Sequence, residues 1–268
     1  MLNMAKSRRS CNDKDTRRGA IRNGKRISAA TWKGQRIWIK CQIYEKPSLK
    51  RRLHASISNL LPVPWLRAVP RYSPKEMNRL EIQKLTAFRA ANIPTPEILC
   101  AYGPVLIVSD VGHSIQNSLD KLLHANPHLH DSLLIQCAET LGAVHAAGLC
   151  HGRPHPQDMF LSNGRAGFFD FREYPESIMP LAMAQARDIW LLFTQIMAQA
   201  LEPQRTASTA FMAWRRHISL ETLESLRQLV HFFRIFIGPL KFARPIYLGD
   251  NSKRMLCAIE FFISHLGL

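Results

Sequence analysis

Acidic residues are scarce in this chain: 20 Asp and Glu stand against 36 Lys and Arg in 268 residues, a formal net charge of +16. Several features are missing outright. No apolar run approaches the roughly 18 residues that would span a bilayer, and the stretches 191–201 and 258–268 are short and interrupted. The opening residues lack the apolar core of a secretory signal, so a cytoplasmic protein is expected. Cys11, Cys41, Cys100, Cys137, Cys150 and Cys257 are scattered with no C-x-x-C pair. That argues against a zinc site and predicts reduced thiols in a reducing compartment. Gly19, Gly24 and Gly34 do not make the G-x-G-x-x-G spacing, which excludes a glycine-rich phosphate loop of that kind.

What is present is enough for one domain with a sizeable core, at 46% hydrophobic residues. The positive charge is unevenly spread. Residues 1–25 carry Lys6, Arg8, Arg9, Lys14, Arg17, Arg18, Arg22 and Lys25 without periodicity, and read as a disordered basic arm. A second cluster, Lys46, Lys50, Arg51, Arg52 and His54, precedes the apolar Leu60, Leu61, Val63 and Trp65. Such a pairing fits peripheral contact with an anionic membrane such as the inner-membrane face, and equally fits an acidic acceptor; the plain alternative is a solvated loop. So basic a chain also suits nucleic acid. Yet there is no helix-turn-helix, zinc-finger or RNA-recognition signature, and the aromatics are not interleaved with the basic arm. Nucleic acid is not the expected partner.

Periodicity supplies the elements. Residues 26–32 and 36–44 alternate as two strands around Lys33, Gly34 and Gln35. On the second strand Ile37, Ile39 and Cys41 share one face while Trp38, Lys40 and Gln42 share the other, so Lys40 projects from the strand centre. Over 74–91 a helical face gathers Met77, Glu81, Leu85 and Phe88. An acid inside an apolar stripe is expensive to bury unless it meets a cation, which predicts a Lys40–Glu81 pair, with Glu76 as the fallback. Helices are also expected over 132–147, from 187 to about 197 with Asp188 at its head, and over 220–236. For Asp188 the plain alternative is an N-terminal cap.

The densest chemistry lies in 151–173, H-G-R-P-H-P-Q-D-M-F-L-S-N-G-R-A-G-F-F-D-F-R-E. It reads as a loop, a short strand, a turn at Asn163 and Gly164, and a second strand. This layout sets Asp158 and Asp170 at the ends of two strands facing one cleft, an arrangement that suits a divalent ion over nucleotide phosphates.

The order of these parts resembles the protein-kinase-like superfamily, most closely the bacterial lipopolysaccharide-core sugar kinases and the small-molecule phosphotransferases, over residues 26 to 200. The resemblance implies an α+β, two-lobed fold: a small antiparallel sheet lobe over 26–108 and a mostly helical lobe over 109–268, with ATP between them. It implies that Lys40, positioned by Glu81, holds phosphates, that the hinge near Ser109 and Val111 meets adenine, and that Asp158 and Asp170 carry Mg²⁺. His151 and Asp188 would brace the loop, and His155 would approach phosphate. The implied activity is an ATP- and Mg-dependent phosphotransferase acting on a lipopolysaccharide sugar or another small anionic, lipid-linked hydroxyl acceptor. Arg153, counted with the catalytic residues, stands where the family keeps its general-base aspartate. Guanidinium stays protonated and cannot take a proton, so the alternative is a catalytically dead pseudokinase serving as a nucleotide-binding or scaffold protein. The family's Asp-Phe-Gly here reads Asp170-Phe171-Arg172.

Overall fold

The computed structural model describes residues 26–43, 70, 72–235 and 250–268. The basic arm and the basic–apolar cluster of 46–65 lie outside these residues. Strands β1 (Ile27–Trp32) and β2 (Gln35–Cys41) form a hairpin. Lys33 and Gly34 both adopt positive φ, at 51° and 76°, which makes the connection a two-residue turn compatible with the strand twist. Helix α1 (Pro74–Ala90) follows, with Ser73 accepting from the Glu76 N–H as its cap and proline at its start. Strands β3 (Ile98–Tyr102) and β4 (Val105–Ser109) complete an antiparallel sheet of order β1-β2-β4-β3.

From here the described residues form helices apart from one hairpin and two short 3-10 turns. Helices α2 (Ile115–Ala125) and α3 (Pro127–Ala146) are separated by Asn126, whose side chain caps α3. The cap and Pro127 start α3 five residues earlier than the apolar pattern alone suggests, because a helix can be opened by polar residues before its buried face begins. Strands β5 (Met159–Ser162) and β6 (Arg165–Phe168) pair around the Asn163-Gly164 turn. Helices α4 (Leu181–Gln199), α5 (Pro203–Arg215), α6 (Leu220–Arg234) and α7 (Asp250–Leu266) finish the chain. The architecture is thus α+β, with a small N-terminal antiparallel sheet and a mostly helical remainder. Among the described residues, no helix is long and apolar enough to cross a membrane.

One apolar core runs from Leu85 and Phe88 of α1, through Leu106 and Val108 of β4, into the helices around Leu141, Phe193, Trp214 and Phe262. α3 packs on α5, and α4 lies against both α6 and α7. Cys41, Cys137, Cys150 and Cys257 are free thiols.

The connector between α1 and β3 docks directly on β6. The Phe168 N–H donates to the Pro94 carbonyl at 3.0 Å. A Cβ on Gly167 would lie 2.3 Å from that same oxygen, so only glycine allows the approach. Gly167→Ala is expected to destabilise the protein by about 2 kcal/mol through this backbone clash. Urea unfolding would register it as a lower midpoint with an unchanged slope.

Candidate functional site

The β5–β6 hairpin places the two aspartates. Met159 pairs with Phe168 at the open end, so Asp158, just before β5, and Asp170, two residues past β6, leave the hairpin side by side. The Phe169 N–H donates to the Asp158 carbonyl at 3.1 Å and holds the two segments together.

Lys40 reaches this point from the sheet. Its Nζ lies 2.5 Å from Glu81 Oε1, 2.7 Å from the Phe169 carbonyl and 3.5 Å from Asp170 Oδ1. Glu81 is fully buried, and its second oxygen accepts from Gln42 Nε2 at 2.7 Å. Burial alone would lower the Lys40 pKa, but the carboxylates of Glu81 and Asp170 outweigh it and hold the ammonium above its ordinary value. The fallback, Glu76, is on the surface beside Arg79, at 3.7 Å.

A cleft of about 700 Å³ opens between Trp38 and Lys40 on the sheet side and Asp158 and Asp170 on the hairpin side. Ser109 and Val111 lie along its rim. Ser109 is committed locally: its N–H donates to the Glu97 carbonyl and its hydroxyl accepts from the Glu97 N–H. Val111 lines the cleft, and its backbone N–H and C=O take no hydrogen bond among the described residues. Trp38 Nε1 donates to Asp110 Oδ1 at 2.6 Å and ties the sheet to this rim. The tip of the β1–β2 hairpin does not line the cleft; Ile27, Arg36, Trp38 and Lys40 do.

The loop at 151–153 is braced from below. Asp188 sits within α4 rather than at its head, because α4 begins at Leu181; the capping alternative is therefore wrong. Its oxygens accept from the backbone N–H groups of His151 at 2.5 Å and Gly152 at 2.9 Å. Trp214 Nε1 donates to His145 Nδ1 at 3.0 Å, which leaves the proton of the neutral ring on Nε2, facing Asp188 at 3.7 Å. Burial holds His145 below its ordinary pKa, so this contact is not an ion pair. His151 is packed among Phe88, Phe168 and Phe171, and burial lowers its pKa to about 4. It is a neutral structural ring.

Arg153 and His155 do not line the cleft. Arg153 points away, 43% exposed, with Nε 3.8 Å from Glu173 Oε1, while Arg187 holds the other oxygen of Glu173 at 2.6 Å. His155 Nδ1 accepts from the Gln157 N–H at 3.0 Å, capping a short 3-10 turn over Pro156–Asp158. The expected approach of His155 to phosphate is therefore not among the contacts seen, its ring being engaged with the Gln157 N–H.

Two residues escaped the sequence reading. Lys84, buried on α1, donates to the carbonyls of Cys150 at 3.0 Å and His151 at 2.8 Å and pairs with Glu176 at 3.0 Å, so it welds α1 to the loop. It falls one turn after Glu81 on the buried side, and that placement was the available signal. Arg172 Nε donates to Asp170 Oδ2 at 2.5 Å.

Asp158 is the exception in this network. It is 6% exposed and makes no side-chain hydrogen bond among the described residues. Burial first, and then the Asp170 charge, push its pKa up to about 6. A carboxyl with a raised folded pKa binds its proton more tightly when folded, so its stabilising share is present at low pH and lost as pH rises toward 6. Asp158→Asn is therefore expected to match wild type near pH 4 and to exceed it by as much as about 3 kcal/mol above pH 7. Urea unfolding at the two pH values checks this.

A carboxylate that lines the cleft and has no side-chain partner among the described residues suits a hard cation. No group of three or more acidic, His or Cys side chains that could hold a metal occurs among the described residues. A cation here would draw its remaining ligands from water or from the bound molecule. Chemically, the site can fix an anion against Lys40 and Arg172 with a divalent ion on Asp158. Compared with known proteins, the chain matches no family model and no curated sequence.

Proposed function

We propose that the cleft binds ATP and that the chain is a protein-kinase-like phosphotransferase, with the sheet and α1 as one lobe and the helical region as the other. The observation that carries this reading is the convergence of Lys40 on Glu81, the Phe169 carbonyl and Asp170 from three separate segments. A buried lysine fixed by one carboxylate and aimed at another is built to receive phosphate oxygens. The unsatisfied Val111 N–H and C=O would meet the adenine edge. Mg²⁺ would be held by Asp158, which fits it, and it would supply neutralisation of phosphate charge when bound. Asp170 fits a metal less well because Arg172 already occupies one oxygen. The acceptor we favour is a small anionic hydroxyl compound, such as a lipopolysaccharide sugar, because the overall charge of +16 would draw it in.

Transfer in this fold asks more of positioning and charge neutralisation than of a base. One observation favours the second reading, a pseudokinase that binds nucleotide and works as a scaffold: Arg153 stands where a general base would be needed, lies beside Glu173 and cannot accept a proton.

Thermal unfolding with millimolar ATP tests the shared part of both readings. Saturation at 100-fold above Kd adds about 2.7 kcal/mol, so a clear rise in Tm is expected for wild type and none for Lys40→Met. An unmoved wild-type Tm with and without Mg²⁺ would overturn the nucleotide reading. Phosphate transfer to a panel of sugar acceptors then separates the two: turnover by wild type supports the enzyme, and its absence alongside binding supports the scaffold.

A further inference from the structure

Both oxygens of Asp170 already face cations that the chain itself supplies. Lys40 Nζ approaches Oδ1 at 3.5 Å, and Arg172 Nε donates to Oδ2 at 2.5 Å. A divalent ion could reach Asp170 only by breaking the second of these bonds. Arg172 stands at the mouth of the cleft: its side chain is 37% exposed, and it lines the cleft with Lys40, Asp158 and Asp170. The carboxylates of Asp170, Asp158 and Glu81 keep its charge in place against the burial that opposes it.

A guanidinium carries five N–H donors in a planar fork. Nε is engaged by Asp170, and no acceptor among the described residues takes the others. Arg172 and Lys40 line the same cleft and flank the two oxygens of one carboxylate. Planar, doubled N–H donors match two oxygens of a phosphate better than a point charge does. Where the family's pattern has glycine after Asp-Phe, the carboxylate would be left open to metal; here the side chain at that position fills the place.

We propose that Arg172 is the resident cation of this site: it neutralises Asp170 and presents its remaining donors to the phosphates, so that a nucleoside triphosphate binds without a divalent ion. This inference rests on the nucleotide reading of the cleft. It assigns a metal-like task to a residue of the chain and leaves Asp158 as the single open cation position. A metal added to the nucleotide complex gains little in affinity.

Calorimetric titration of ATP into the full chain, in EDTA and in excess Mg²⁺, tests it on wild type, Arg172→Ala and Arg172→Lys. Wild-type affinity in EDTA is expected within about threefold of that in Mg²⁺, and Arg172→Ala is expected to lose at least about tenfold in EDTA, with most of the loss recovered in Mg²⁺. Wild type that binds only with Mg²⁺, or Arg172→Ala that binds in EDTA as wild type does, overturns the inference and leaves the nucleotide reading intact. Wild type that binds ATP under neither condition overturns the nucleotide reading itself. Should Arg172→Ala unfold, Arg172→Lys keeps the charge and loses the fork. An EDTA affinity at least about threefold below wild type then supports the proposal, and an unchanged one overturns it.

Discussion

Glu81→Ala is expected to lower the stability of the unliganded protein by about 3 kcal/mol, at the lower end of the range for breaking a buried ion pair. The substitution strands two donors. Lys40 loses its 2.5 Å partner, and Gln42 Nε2 loses the oxygen it reaches at 2.7 Å. Lys40 has residual partners in the Phe169 carbonyl and Asp170, which is why the upper end of the range is not expected. For a chain of this size the change corresponds to a fall in Tm of about 6–12 °C. Glu81→Gln keeps the shape and one acceptor and should lie between the two. A second effect separates this pair from ordinary core packing: without Glu81, Lys40 is drawn onto Asp170, and ATP affinity should fall together with stability. A Glu81→Ala protein with an unshifted Tm would mean that the pair contributes nothing net to folding.

Much of this arrangement is legible in sequence because it depends on local pattern. Glu81 betrays itself as an acid in the Met77–Leu85–Phe88 stripe, and alternation along β2 puts Lys40 opposite Ile39. The hairpin with Asp158 and Asp170 follows from Asn163-Gly164 between short apolar segments, since positive φ at both residues, 50° and 75°, is what the turn demands. Contacts between distant segments are less legible. Arg172 is adjacent to an aspartate in sequence, but whether its guanidinium folds onto Asp170 or reaches solvent depends on the space left by Lys40. Lys84 looks like any helix lysine until the loop carbonyls of Cys150 and His151 come within reach. The start of α4 is missed for another reason: Leu181 to Ala186 supply small residues whose burial depends on α6 and the loop, so the apolar signal strengthens only at Ile189. Arg153 and His155 hold the positions the resemblance asks for, but their contacts, with Glu173 and with the Gln157 N–H, depend on segments that position alone does not reveal.

Asp188→Ala should do at least as much damage from a site that never touches ligand. It leaves the N–H groups of His151 and Gly152 buried without an acceptor. Each orphaned donor costs about 1–3 kcal/mol, so a loss of about 3–5 kcal/mol is expected. The consequence reaches the cleft through backbone geometry. Gly152 holds φ at 107° with its α-carbon against the Glu173 carbonyl, where a Cβ would sit 2.2 Å away. The pair of bonds to Asp188, the bond from Arg187 to the Gly152 carbonyl and the bond from Lys84 to the His151 carbonyl keep the peptide there. Released, the loop would no longer fix the chain that leads into Asp158, and ATP affinity should fall although every cleft residue is unchanged. The acid limb gives a further readout. Burial alone would raise the Asp188 pKa, but the His145 N–H and the nearby positive charge of Lys84 outweigh it and hold the carboxyl below its ordinary value. A depressed folded pKa gives stability that is present above the unfolded pKa and lost as pH falls through the folded one. The gap between wild type and Asp188→Ala in urea midpoint should therefore narrow in strong acid and stay constant above the ordinary carboxyl range. A gap that ignores pH throughout would place the loss in packing rather than in the charge on Asp188.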